Sequence, residues 1–148
     1  MAGEKFSNIL VAIDGSDLSM KSAEYALSLA KQHNAKVSAV AVVKFHQTDA
    51  FRGSTGTLEK FVKKQAEIAE GWLDSVRAKA QRNNVRFESR VIKTRANIPE
   101  EILKYAKDKD ADLIVLGTRG RTGFKKVLLG SVASAIVTHG PCAVMVVR

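Results

Sequence analysis

Short apolar runs alternate with longer amphipathic segments along the chain. The runs have the length of strands, and all but one are nearly continuous in apolar residues, as are strands buried on both faces of a sheet. They lie at 9–13, 37–43, 85–92, 112–117 and 142–147. The run at 85–92 alternates apolar and polar residues, which predicts a less buried position in the sheet.

The segments between these runs have the period of helices. Their apolar residues recur three and four positions apart, and capping residues such as Ser16 or Asp17 and Asn97 precede them. The predicted helices run from 17 to about 34, from 58 to 83, from 97 onward and from 131 to about 138. Leu58, Phe61 and Trp72 fall on the apolar stripe of the second helix, which favours core positions over a stacking platform. The polar segment 44–57 is long for a connection, so it is either a functional loop or poorly ordered.

Strands that alternate with helices form a parallel sheet through right-handed crossovers. The sequence therefore predicts an α/β protein with a doubly wound, Rossmann-like, five-stranded parallel sheet and helices on both faces. No linker or internal repeat divides the chain, which we interpret as a single domain over 1–148. Ligands of such sheets bind beyond the carboxyl ends of the strands. Asp14, Val43 and Gly117 follow or end predicted strands, so they are expected at one edge.

Composition narrows the class of protein. The 148 residues are 45% hydrophobic and contain one cysteine, Cys142, which excludes an internal disulfide and a cysteine-rich metal site. No apolar run approaches the roughly 20 residues that span a bilayer, and the N-terminus lacks a signal-peptide core. We therefore expect a cytoplasmic protein with no membrane association. The net charge of +9 favours an acidic partner without choosing among nucleotide, nucleic acid and lipid headgroup.

The segment from Gly117 to Ser131 carries the most specific chemistry. It leaves a buried strand, contains glycines that allow close approach of a ligand, and opens a helix whose free N–H groups favour an anion. The N–H groups of Val132 and Ala133 are expected beside the Ser131 hydroxyl. Four basic residues and no acid lie within it: Arg119, Arg121, Lys125 and Lys126. These features fit a polyphosphate cradle, and the alternative is a simple surface connection.

Asp14 is the second candidate. It follows a buried strand at the expected ligand edge, where its carboxylate can accept hydrogen bonds from ribose hydroxyls or reach a metal held by phosphates. The alternative is that it only ties down its own turn. No catalytic Ser-His-Asp or Cys-His set and no metal-ligand spacing is evident, and the basic segment 86–95 lacks the interleaved aromatics typical of nucleic-acid sites.

The spacing Gly117-x2-Gly120-x9-Gly130-Ser131 resembles the nucleotide motif of the ATP-binding universal stress proteins. The segments at 9–16 and 140–147 resemble that family too, so the resemblance covers essentially the whole chain. It implies the adenine nucleotide alpha hydrolase-like variant of the fold. It also implies that the three motif glycines contact phosphates and ribose, and that Ser131 with the main chain at Val132 and Ala133 holds the phosphates.

The resemblance extends to the rest of the nucleotide. It implies that Asp14 lies by the ribose, that main-chain groups around Val42 pair with adenine, and that Ala12 borders the base, where some members carry proline. Arg119 is expected to add positive charge at the phosphates.

The expected function is that of an ATP-binding regulatory protein of the stress response. Mg²⁺ or Mn²⁺ could bridge the phosphates, and hydrolysis is expected to be slow at most, because no residue is evident that would orient the water. The resemblance implies a homodimer through the C-terminal strand, and the protein partner is unknown. The alternative function is a nucleotide-independent interaction module on the same fold.

Overall fold

The computed structural model describes residues 5–51, 57–119 and 129–148. These residues form five strands, four α-helices and one 3₁₀ helix. The strands are β1 (Asn8–Ala12), β2 (Lys36–Lys44), β3 (Phe87–Thr94), β4 (Leu113–Gly117) and β5 (Ala143–Val147). The helices are α1 (Asp17–His33), α2 (Leu58–Arg82), α3 (Ile98–Asp108) and α4 (Ser131–His139), and the 3₁₀ helix spans Gln47–Phe51.

All five strands are parallel and lie in the order β3-β2-β1-β4-β5. The chain therefore winds outward from β1 in one direction through β2 and β3, and in the other through β4 and β5. Right-handed crossovers in opposite directions place helices on opposite faces. Helices α1 and α2 pack on one face, and α3 and α4 pack on the other. The doubly wound prediction is confirmed.

The central strand β1 divides the core in two. Ile9, Leu10 and Val11 are all completely buried. Because side chains alternate along a strand, Ile9 and Val11 face α1 and α2, whereas Leu10 faces α3 and α4. The polar strand β3 lies at one edge of the sheet, as its alternating pattern predicts.

The helices begin where the sequence predicts. Ser16 Oγ accepts a hydrogen bond from Ser19 N at 3.1 Å, and Asn97 Oδ1 accepts one from Glu100 N at 2.9 Å. The third strand begins later than predicted, at 87 instead of 85. The reason is local, because Val85 N donates to Ala80 O at 3.0 Å and is thus used in the exit from α2.

Within the segment 44–57, residues Gln47–Phe51 form the 3₁₀ helix. The buried Asp49 stabilises this turn, since its Oδ2 accepts a hydrogen bond from His46 N at 2.6 Å. Residues 52–56 lie outside the described residues. Within the described part of the chain, no helix is long and apolar enough to cross a bilayer.

Candidate functional site

A cavity of about 470 Å³ opens at the carboxyl ends of β1, β2 and β4, where the strand order reverses. Such a reversal leaves a crevice between the first turns of helices on opposite faces. Most of the site residues predicted from sequence line it: Ala12, Asp14, Val42, Gly117, Arg119, Gly130, Ser131, Val132 and Ala133. Gly120, the remaining one, lies outside the described residues, as do Arg121, Lys125 and Lys126.

The end of β1 delivers Asp14 to this cavity. Ile13 N donates to Val40 O at 2.8 Å, which extends the pairing with β2 by one residue. The chain then turns at Gly15, whose φ of +84° is a conformation that favours glycine. Asp14 N donates to the Oγ of the buried Ser19 at 3.3 Å, so the main chain is held immediately before the turn.

The Asp14 carboxylate has two different sides. Its Oδ1 accepts hydrogen bonds from Ser16 N at 3.0 Å and from Ser16 Oγ at 2.6 Å. The alternative interpretation of Asp14, that it ties down its own turn, is therefore correct for this oxygen. Within the described residues, Oδ2 receives no such bond. The same side chain can thus stabilise the turn and offer an acceptor to a ligand.

The N-terminus of α4 forms the opposite side of the cavity. Thr118 N donates to Val147 O at 2.8 Å, and Gly130 N donates to Thr118 O at 2.6 Å, so the helix start is tied to the end of β4. The first intrahelical bond runs from Ser134 N to Gly130 O at 2.9 Å. Helix geometry leaves the N–H groups of Ser131, Val132 and Ala133 without an intrahelical acceptor. Together with the helix dipole they favour an anion.

The backbone approaches its neighbours closely at two glycines of this site. A Cβ atom on Gly117 would lie 2.9 Å from Leu18 Cγ, and one on Gly130 would lie 3.2 Å from Thr118 O. The first contact is with a side chain of α1, and the second is within the crossing from β4 to α4. Packing therefore favours glycine at both positions, in addition to any role in ligand approach.

The third side of the cavity is apolar. Side chains from β2, α3 and β4 form it, among them Val42, Ile98 and Leu116. A surface of this kind packs against a flat, weakly polar group, while exposed main-chain groups at a strand end supply hydrogen bonds. The cavity thus combines an apolar wall, a carboxylate and a helix N-terminus.

Helix α2 contributes residues that the sequence did not predict. Phe61, Gln65 and Trp72 line the cavity, and Trp72 also packs against the core. The prediction that Phe61 and Trp72 are simply core residues is therefore wrong in part. The length of α2 was the signal in the sequence that could have indicated this. Its 25 residues are about 37 Å long, whereas the nine residues of β2 are about 30 Å long. Its first turns therefore extend past the sheet.

Other candidate groups lie apart from the cavity. Burial raises the pKa of the Cys142 thiol, and the nearby Asp112 carboxylate raises this pKa further, which suits a packing role. Arg90 and Arg95 of the basic segment stack on the rings of Tyr105 and Phe45. Among the residues described, no three His, Cys, Asp or Glu side chains form a group that could hold a metal ion.

Solved structures share this architecture over nearly the whole chain. The universal stress protein UspA of Lactobacillus plantarum superposes with a TM-score of 0.82 at 28% identity, covering 99% of this chain and all of that one. Three more distant structures hold adenine nucleotides. A universal stress protein in complex with cAMP has a TM-score of 0.70 at 21% identity and covers 98% of both chains.

The second, from Archaeoglobus fulgidus, is in complex with dAMP and has a TM-score of 0.68 at 20% identity, covering 98% of this chain and all of that one. The third, from Arabidopsis thaliana, has AMP bound and a TM-score of 0.68 at 17% identity, covering 95% of this chain and 90% of that one. At these identities the likeness shows the fold alone.

Sequence comparison gives the family. The model of the Universal stress protein family matches residues 5–148. The universal stress protein YxiE of Bacillus subtilis is 36% identical over 149 residues, covering 97% of this chain and 99% of that protein. The universal stress protein MJ0531 of Methanocaldococcus jannaschii is 33% identical over 146 residues, covering 97% and 82% respectively. The chain belongs to the universal stress protein family.

Proposed function

We propose that this protein belongs to the ATP-binding subgroup of the family and acts as a regulator whose surface changes with nucleotide occupancy. The observation that carries the proposal is the meeting of three complementary groups around one cavity. An apolar wall suits a base, the free oxygen of Asp14 suits a sugar hydroxyl, and the N-terminus of α4 suits phosphate. An unidentified protein partner would recognise the changed surface.

Each part of the nucleotide then has its own contacts. The main chain near Val42 pairs with adenine, and Ala12 borders the ring. Asp14 Oδ2 accepts from a ribose hydroxyl. The phosphates lie at Gly117, Gly120 and Gly130 and accept hydrogen bonds from the N–H groups of Ser131, Val132 and Ala133, with Arg119 adding positive charge. The cAMP, dAMP and AMP bound by structural neighbours support an adenine nucleotide as the ligand class.

A divalent cation fits this arrangement only if phosphate oxygens supply most of its ligands. Asp14 is an acid in the cavity lining, and the described residues form no three-ligand metal group. Mg²⁺ or Mn²⁺ would therefore be held mainly by phosphate oxygens. Phosphoryl transfer also needs an oriented water, and we assign no residue to that role. We expect slow hydrolysis at most.

The first experiment tests for nucleotide carried through purification. The protein is purified without added nucleotide, denatured and analysed by chromatography, and the nucleotide-free protein is titrated with ATP by calorimetry. An adenine nucleotide in the supernatant, or saturable heat with ATP, is expected. If the denatured protein releases no adenine nucleotide and titration up to about millimolar ATP gives no saturable heat, the nucleotide-independent interaction module is the remaining function. A dissociation constant of about 1 mM already corresponds to weak binding.

A pair of charge variants localises the binding. Ser131→Glu places a carboxylate in the first turn of α4, where the helix dipole tolerates it but phosphate is repelled. We expect at least a tenfold loss of ATP affinity with the fold intact. Ser134→Glu is the matched control, because Ser134 is also exposed on α4 but is absent from the cavity lining. Equal losses in both variants would show a general charge effect instead of a phosphate site.

A further inference from the structure

The turn that follows Asp14 lies directly against an aromatic side chain of α2. A Cβ atom built on Gly15 would overlap the Trp72 indole, with its Nε1 only 2.8 Å away. Trp72 is the one tryptophan of the chain, and it lines the cavity together with Asp14. The ring therefore bounds the cavity on the side where Asp14 enters it.

Trp72 is held firmly in this position. The residues next to it and one turn before it, Leu73 and Ala69, are completely buried, which anchors this part of α2 on the sheet. On the other side the ring meets the Gly15 backbone, which is fixed by the hydrogen bonds of Asp14 and Ser16. Because protein interiors are close-packed, the core and the Gly15 backbone oppose withdrawal of the ring from the cavity.

We propose that Trp72 is a specificity-determining residue that limits the width of the cavity beside Asp14. It admits an unsubstituted ribose and excludes nucleotides that carry a bulky group on the 2′ or 3′ oxygen. The inference rests on the proposed function, since it takes the ribose to lie at Asp14. The ligand class thereby narrows to adenine nucleotides that carry no bulky substituent on the 2′ or 3′ oxygen.

Phe61 offers a matched comparison. It is also an aromatic residue of α2 in the cavity lining, but it lies eleven positions before Trp72, about 16 Å along the helix axis. Truncation of Phe61 enlarges the cavity without widening it beside Gly15. If truncation of Trp72 changes which nucleotides bind and truncation of Phe61 does not, the change results from the width of the cavity beside Gly15. A general enlargement of the cavity would affect both variants.

The test compares two labelled nucleotides with ATP by calorimetry. One carries an N-methylanthraniloyl group on the ribose 2′ or 3′ oxygen, and the other carries the same group on the γ-phosphate. For the unmodified protein we expect ATP and the phosphate-labelled analogue to bind within a few-fold of one another. The ribose-labelled analogue is expected to bind at least tenfold more weakly.

The variants decide the role of the ring. In Trp72→Ala the preference for ATP over the ribose-labelled analogue is expected to fall to a few-fold, whereas in Phe61→Ala it is retained. Trp72→Leu, which keeps apolar contact with the core, provides the result if the alanine variant does not fold. Equal binding of both compounds by the unmodified protein, or an unchanged preference in the Trp72 variants, overturns the inference while leaving the proposed function standing. Absence of ATP binding altogether overturns both.

Discussion

Gly15 and Gly71 are both glycines near the first two helices, yet their surroundings differ completely. Gly15 has a φ of +84°, and a Cβ atom there would overlap the Trp72 indole. Gly71 lies inside α2, and a Cβ atom there would meet nothing within 4 Å. Gly15 is therefore favoured both by its backbone conformation and by the lack of space for a Cβ atom. Gly71 meets neither condition, and glycine there only lowers the stability of α2.

Alanine at these two positions should have opposite effects on stability. We expect Gly15→Ala to lower the free energy of unfolding by at least about 2 kcal/mol, because strain in the turn adds to the clash. Gly71→Ala should raise it by about 0.5–1 kcal/mol through helix propensity. Urea unfolding followed by circular dichroism measures both. A tolerated Gly15→Ala would contradict the described contact with Trp72.

Glu88 connects three elements of the fold on the side of the α3 C-terminus. Its Oε1 accepts hydrogen bonds from Ser38 Oγ and Lys109 Nζ, and its Oε2 pairs with Lys36 Nζ, all at 3.1 Å. Burial alone raises the pKa of this carboxyl, but the hydrogen bonds from Lys109, Lys36 and Ser38 outweigh it. The resulting pKa lies below the ordinary value of 4.5.

A carboxyl with a lowered pKa in the folded state stabilises the protein above its unfolded pKa, and this contribution is lost as the pH falls through the folded pKa. Glu88→Gln should therefore cost about 0.5–1 kcal/mol near pH 7, the range of partly exposed ion pairs. The difference from the unmodified protein should shrink below pH 4.5. Urea unfolding across this range measures it, with the exposed Glu67→Gln as control. A difference independent of pH would contradict the pairing.

Among the elements, α3 has the simplest start signal. Asn97 caps it, Pro99 lies in its first turn, and Glu100 and Glu101 complement the positive end of the dipole. Glu101 also reaches back to the β3 terminus, with its Oε1 at 3.4 Å from Thr94 Oγ1. The start of this helix is thus coupled to the edge of the sheet.

Removing the cap should destabilise the protein by a predictable amount. Asn97→Ala is expected to lower the free energy of unfolding by about 1 kcal/mol, because the N–H of Glu100 loses its acceptor. Asn97→Asp keeps an acceptor at the same place and should retain the stability. Thermal and urea unfolding measure the pair. If Asn97→Asp lowered the free energy of unfolding as much as Asn97→Ala, loss of the capping hydrogen bond would not explain the destabilisation.

Elements whose signals are local could be predicted from sequence, and those set by tertiary contacts could not. Apolar runs and capping residues gave the order and type of the strands and helices, because burial and hydrogen-bonding rules act within a few residues. The start of β3 depended on Val85 bonding back to α2, and the 3₁₀ turn depended on Asp49. Neither interaction leaves a periodic pattern.

The same division applies to the candidate site. Asp14, Gly117 and Ser131 could be brought together by topology alone, because the carboxyl ends of adjacent parallel strands meet. Phe61, Gln65 and Trp72 could not, because their part in the cavity depends on how far α2 extends past the sheet and how it is rotated. On an amphipathic helix, a residue that faces the core and one that faces a cavity have the same spacing.

At the scale of the whole molecule, β5 is an apolar edge strand. Its residues Val144, Met145 and Val146 are only half-buried, and such an edge generally needs cover. Val147 O accepts a hydrogen bond from Thr118 N, so alternation along the strand turns the N–H groups of Val144 and Val146 to the outer edge, beside which the described residues form no further strand. Pairing with a second copy of the chain would bury this edge.

We therefore expect a two-fold dimer at micromolar concentration in sedimentation velocity. Val144→Pro removes one outward N–H and should shift the protein toward monomer, since proline on an edge leaves the inner ladder intact. Lys93→Pro is the control, because Thr94 O faces β2 and the N–H of Lys93 therefore faces the opposite free edge. A monomeric unmodified protein would contradict dimerisation through β5.

The pairing of β1 with β4 also determines when the molecule can assemble during synthesis. Asp112 caps the main chain at Ser7, a contact that joins residues 105 positions apart. Strand β1 must therefore wait until β4 has been synthesised before its second neighbour in the sheet is present. The crevice is completed later still, by the helix that begins at Ser131, so a growing chain gains the means to hold a ligand only after this helix has been made.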